Sequence, residues 1–133
     1  MDHKGRQRRI RSALPVQRLD VLLVTHLPNI LYLCGFGGSA GVLVLTDEKS
    51  VFFTDGRYTD QARAEVQDAK IVIGRKGPMV AAAEWLSKRG PKRTGNRATP
   101  FRLGIEGEHM SVAARSRLAS SLPAGFRLCE AQT

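Results

Sequence analysis

The sequence predicts an α/β domain on a single mixed β-sheet of about six strands, with one antiparallel hairpin and helices on both faces. Three observations carry that reading. Short apolar β-rich runs alternate with segments of helical period along most of the 133 residues. Two of those runs, 41–45 and 51–54, are separated only by Thr46-Asp47-Glu48-Lys49-Ser50, a polar stretch short enough to close a hairpin. The run Leu19-Asp20-Val21-Leu22-Leu23-Val24 is nearly all apolar, which suits a strand covered on both faces.

The elements follow in order. Residues 5–14 can form a basic amphipathic helix with Ile10 and Leu14 on one side. The 19–24 strand comes next. Pro28 can start a helix at its first position, with Ile30, Leu31, Leu33 and Cys34 as the apolar face, and Gly35 stops it. After the hairpin, Asp55 stands where a helix N-cap belongs. Tyr58, Ala62 and Val66 recur four apart and define one face of that helix. Residues 71–73 form another strand, closed by Gly74. Pro78 opens a helix to about Lys88 with a core stripe of Met79, Ala82, Ala83 and Leu86, and Gly90-Pro91 ends it. Residues 90–100, rich in Gly, Pro, Asn and basic side chains, read as an exposed loop. Phe101, Leu103 and Ile105 alternate as a strand does; 110–122 is helical and 126–129 is a last strand.

Length fits one domain with a real core. The net charge of +9 is uneven: residues 1–18 hold six Lys/Arg against one Asp, and residues 75–102 hold eight against one Glu. Such a field suits an acidic partner, an anionic surface or nucleic acid, or simply a solvated exterior. The basic loop has no aromatic residue on which bases could stack, which argues against nucleic acid. Apolar runs such as 30–36 are far short of the roughly 20 residues of a membrane span. The basic N-terminus lacks the apolar segment of a signal peptide, because Arg18 and Asp20 interrupt it. Cys34 and Cys129 form neither a disulfide framework nor a zinc spacing, and read as reduced thiols of a cytoplasmic protein.

Two motifs fall in the glycine-dense segment. Residues 35–40 satisfy G-x-G-x-x-A, but a dinucleotide loop must follow a strand and open a helix, and here the order is reversed. Residues 37–41 satisfy G-x-S-x-G, and the same reversal removes the strained elbow that would expose Ser39; nothing in the spacing makes His26 and Asp55 its partners. The glycines themselves permit positive φ and the close approach of another chain or ligand, or merely a tight connection. Asp55-Gly56-Arg57-Tyr58 follows a strand, where binding residues gather in open α/β sheets. Arg57 could grip a carboxylate and Tyr58 add a hydroxyl; alternatively Asp55 caps, Arg57 is solvated and Tyr58 packs. The histidines His3, His26 and His109 are scattered and no metal set can be assembled. Glu106, near Glu108 and His109, is expected to be structural, near the start of the last long helix.

Taken together, Leu19-Asp20-Val21-Leu22-Leu23-Val24-Thr25, Pro28-Asn29-Ile30-Leu31-Tyr32-Leu33-Cys34-Gly35-Phe36, Gly38-Ser39-Ala40-Gly41 and Phe53-Thr54-Asp55-Gly56-Arg57-Tyr58 resemble the N-terminal domain of the creatinase/prolidase/aminopeptidase P group, the pita-bread metallopeptidases. Leu103-Gly104-Ile105-Glu106 is similar to a later strand of that domain. The resemblance implies a creatinase/prolidase N-terminal domain over residues 1–133, itself without catalytic residues or metal ligands. It implies a C-terminal catalytic domain, absent from this chain, in which two divalent metals, manganese or cobalt, activate water to cleave Xaa-Pro bonds. The domain would shape the substrate entrance for a proline-containing peptide and support a homodimer. The entrance or interface candidates carried over are Phe36, Gly37, Gly38 and Ser39 with Asp55, Arg57 and Tyr58. Two alternatives stay open: a stand-alone basic module for an acidic partner or nucleic acid, and the N-terminal domain of a creatinase-type amidinohydrolase. The basic 88–102 stretch has no role that the resemblance supplies.

Overall fold

The computed structural model describes residues 2–89 and 101–131. In chain order it contains α1 (His3–Ala13), β1 (Val21–Val24), α2 (Leu27–Cys34), β2 (Val42–Thr46), β3 (Ser50–Thr54), α3 (Thr59–Glu65), β4 (Lys70–Ile73), α4 (Pro78–Arg89), β5 (Phe101–Ile105), α5 (Val112–Ser121) and β6 (Phe126–Glu130). The strands form one sheet in the order β4-β3-β2-β1-β5-β6. β1/β5, β5/β6 and β3/β4 pair in parallel, while β2 is antiparallel to both β1 and β3. The expected hairpin is β2–β3, with Leu43 opposite Phe52. The single reversed strand therefore makes two antiparallel pairings, where the sequence pointed only to the hairpin.

Side-chain alternation divides the core in two. One face of the sheet presents Leu22, Val24, Leu43, Leu45 and Phe52 to α1, α2 and α3 through Leu14, Ile30, Leu33, Cys34 and Ala62. The other presents Val21, Leu23, Val44, Phe53, Leu103 and Ile105 to α4 and α5 through Ala82, Leu86 and Leu118. β1 and β2 are thus covered on both sides, which is why their sequences are apolar without interruption. Gly104 lies under Leu19 and Leu22, where a Cβ would come within 2.7 Å of Leu19 Cδ1.

The helix starts and stops have local causes. Asp2 caps α1 by accepting from the Gly5 amide at 2.9 Å. Pro28 falls at the second position of α2 rather than the first, and Gly35 closes that helix with φ +88°. Asp55 caps a 3-10 turn over Gly56–Tyr58 that leads into α3. Tyr58, Ala62 and Val66 face the core as the four-residue spacing predicts. α1 sets Ile10 and Leu14 against the core as their spacing predicts, and polar groups add to the docking: Gln7 Nε2 donates to Leu33 O at 3.0 Å, and Arg11 Nε donates to Thr46 O at 2.8 Å. The expected 90–100 loop lies outside the described residues.

Candidate functional site

Because every strand but β2 runs the same way, the carboxyl ends of β1, β3, β4, β5 and β6 share one end of the sheet with the amino end of β2. The 36–39 loop enters β2 at that end, and the 55–58 turn leaves β3 there. Strand direction thus brings the two carried-over segments together, although they are separate in sequence.

Within the loop, Phe36 turns inward and is 1% exposed. Its ring packs on Phe52, centroids 4.6 Å apart, and edge-on against Tyr58 at 5.8 Å. Phe36 therefore supports the loop from beneath. Gly38 has no room for a side chain, since a Cβ would meet Phe36 Cζ at 2.3 Å and Tyr58 Cδ1 at 3.1 Å. Gly37 and Ser39 are exposed. The glycine segment is therefore reachable from outside rather than sealed in the interior.

The turn meets the loop through hydroxyls: Ser39 Oγ and Tyr58 OH share a hydrogen bond. Asp55 accepts from the Arg57 amide at 3.0 Å and from its guanidinium twice, from Nε at 3.0 Å and Nη2 at 2.8 Å. The hydrogen bonds from the Arg57 side chain, with its charge, hold the Asp55 carboxyl below the usual carboxylate range and raise Arg57 in return. Arg57 remains 72% exposed at its side chain and also leans over the Tyr58 ring, 5.2 Å from its centroid. Asp55 orders the guanidinium while its outer edge stays in solvent, an arrangement able to meet an anionic group.

No Ser-His-Asp arrangement is present among these residues. Ser39 bonds to Tyr58, Asp55 to Arg57, and the His26 ring stacks on His109 with centroids 3.6 Å apart. Among the described residues no group of three or more His, Cys, Asp or Glu side chains is placed to hold a metal ion. No helix of the described residues is long and apolar enough to cross a membrane. Cys34 and Cys129 are free; burial pushes the Cys34 thiol up to about 11, against a smaller opposing effect of a backbone hydrogen bond from Phe36.

Two carboxylates matter more than the sequence suggested. Glu106 is structural, but at the start of α2 rather than of α5, which Ser111 caps. Its buried carboxylate accepts from Thr25 N at 2.6 Å, His26 N at 2.8 Å, Thr25 Oγ1 at 3.2 Å and Asn29 Nδ2 at 2.6 Å. Glu65 is the second. Its Oε1 accepts from the Gly37 amide at 2.8 Å and from Gln61 Nε2 at 3.1 Å. Its one sequence signal is an acidic residue closing a helix, where the dipole disfavours it.

The chain is thus an α/β domain with five co-directional strands and one reversed strand, and the 36–39 loop meets the 55–58 turn at one end of its sheet. Residues 6–132 match the Creatinase/Prolidase N-terminal domain family, and the chain belongs to it. It is similar to the uncharacterized peptidase YqhT of Bacillus subtilis, 31% identical over 100 residues, spanning 75% of this chain and 28% of that protein. Among solved structures it resembles the N-terminal domain of a putative metallopeptidase from Corynebacterium diphtheriae, with TM-score 0.82 and 28% identity over 100% of this chain and 98% of that one. It also resembles the N-terminal domain of the cytoplasmic peptidase PepQ from Mycobacterium tuberculosis, with TM-score 0.82 and 27% identity over 96% and 93%. The chain spans less than a third of the curated relative's length.

Proposed function

We propose that this chain is the non-catalytic N-terminal domain of an Xaa-Pro dipeptidase or aminopeptidase. It shapes the substrate entrance of a C-terminal catalytic domain, in which two divalent metals activate water, and it supports a homodimer. The observation that carries the reading is the joining of the 36–39 loop to the 55–58 turn through Ser39 and Tyr58, beside the exposed Arg57, at the carboxyl end of the sheet. β6 ends at Glu130 at that same end of the sheet, on the edge strand beyond β1 and β5. Its function would be exercised where peptidases named for cytoplasmic action work, as PepQ is. The test is hydrolysis of Ala-Pro in the presence of Mn²⁺. Residues 1–133 alone give no turnover, whereas the chain continued through a downstream reading frame bearing two Asp, one His and two Glu ligands does. Turnover by residues 1–133 alone, or a downstream frame without such ligands, overturns the proposal.

A further inference from the structure

We infer that Glu65 is a positioning residue that latches the 36–39 loop in its open, solvent-facing shape. The inference rests on the entrance reading above, and names the group that sets the loop's geometry.

The loop leaves α2 through Gly35 and must turn without regular backbone pairing. The last turn of α3 meets it from one side. Gln67 N donates to Cys34 O at 2.8 Å, and the Glu65 carbonyl lies so close that a Cβ on Gly35 would come within 2.8 Å of it. Glu65 then reaches further along: its carboxylate takes the Gly37 amide at 2.8 Å. That amide belongs to an exposed glycine that lies outside the helices and strands of the described residues. Ser39 and Tyr58 hold the far side of the loop, and Thr54 Oγ1 donates to Ala40 O at 2.6 Å where the loop enters β2. The loop is thus pinned at successive residues, as a fixed lip.

Helix stability does not explain a carboxylate here. Glu65 is the final residue of α3, where the exposed carbonyls disfavour negative charge and favour Lys or Arg. Gln61, one turn earlier, donates to the same Oε1 at 3.1 Å and holds it toward the loop. The side chain is oriented for the Gly37 amide, against the preference of its own helix.

Amide hydrogen exchange on residues 1–133 separates latching from stability. Glu65→Ala is expected to raise Gly37 exchange about tenfold or more, as loss of a charge-assisted hydrogen bond implies. Glu65→Gln, which keeps an acceptor, stays near the parent rate. Glu65→Lys speeds Gly37 exchange while the thermal midpoint holds or rises, because the cation suits the helix end. Unchanged Gly37 exchange in Glu65→Ala and Glu65→Lys overturns the inference, as does a uniform acceleration of the β1 and β2 amides with it. In the chain continued through its catalytic domain, Glu65→Ala raises KM for Ala-Pro with kcat unchanged, and Glu65→Gln restores it; an equal fall in kcat with KM unchanged overturns the positioning role. If no form cleaves Ala-Pro, the entrance reading fails, and the exchange measurement still decides the latch.

Discussion

Asn29 and Glu106, 77 positions apart in sequence, meet at 2.6 Å, amide nitrogen to carboxylate oxygen. The contact ties the first turn of α2 to the end of β5. The same carboxylate accepts both backbone amides that precede the helix, at Thr25 and His26. The carboxyl group can be buried here because it faces the amino end of α2 and is hydrogen-bonded on both oxygens.

Removing that carboxylate orphans several donors at once. Glu106→Ala is expected to destabilise the fold by about 2–3 kcal/mol, and Asn29→Ala by about 1 kcal/mol. Urea unfolding followed by circular dichroism measures both. A loss under about 0.5 kcal/mol for Glu106→Ala, the level of an ordinary surface change, would show the anchor to be dispensable.

Gly38 is expected to resist even the smallest side chain. The added Cβ in Gly38→Ala would overlap the Phe36 ring, which is itself wedged between Phe52 and Tyr58. A cost of about 1–3 kcal/mol follows from overpacking. The same substitution at Gly56, which has open space around its Cβ position, changes stability far less. Thermal melts of the two variants check the contrast.

The Asp55–Arg57 pair sets an acid limit. Asp55 titrates lower in the folded chain than the roughly 3.9 of an unpaired aspartate, because Arg57 hydrogen-bonds to it. The pair's contribution is therefore complete above that unfolded value and disappears as pH falls through the lower folded one. Arg57→Gln is expected to move the Asp55 carboxyl titration up toward the ordinary value, read by carbon NMR. A curve that stays in place would show that something other than Arg57 depresses it.

The two thiols should differ sharply. Cys34 is fully buried and its thiol is pushed up to about 11, so it is protonated at pH 8; Cys129 is only partly covered. A chromogenic disulfide reagent is expected to modify Cys129 in the native chain and to reach Cys34 only on unfolding. Native-state labelling of Cys34, identified by peptide mass, contradicts this.

Legibility followed the range of the interaction. The four-residue spacing of Tyr58, Ala62 and Val66, the helix stop at Gly35 and the turn between Leu45 and Ser50 are all written within a few neighbouring residues, and all are found in the fold. The docking of α1 was legible only in part: Ile10 and Leu14 pack on the core as their spacing predicts, but its buried face also includes His3 and Gln7, and Gln7 bonds to a carbonyl 26 residues away. Polar side chains give no periodic signal that they will be buried, since burial depends on a partner supplied elsewhere.

The amino-acid order by itself determined the succession of elements, the mixed sheet with its hairpin, and the family resemblance carried by residues 19–58 and 103–106, because these rest on local propensity and on apolar alternation. Tertiary structure alone decided that β2 runs against its five companions, that Ser39 reaches Tyr58, that Glu65 reaches Gly37 and that Glu106 reaches Asn29. Those pairings join distant segments through strand order and direction, and a hydrogen bond across 28 or 77 residues leaves no pattern in the intervening chain.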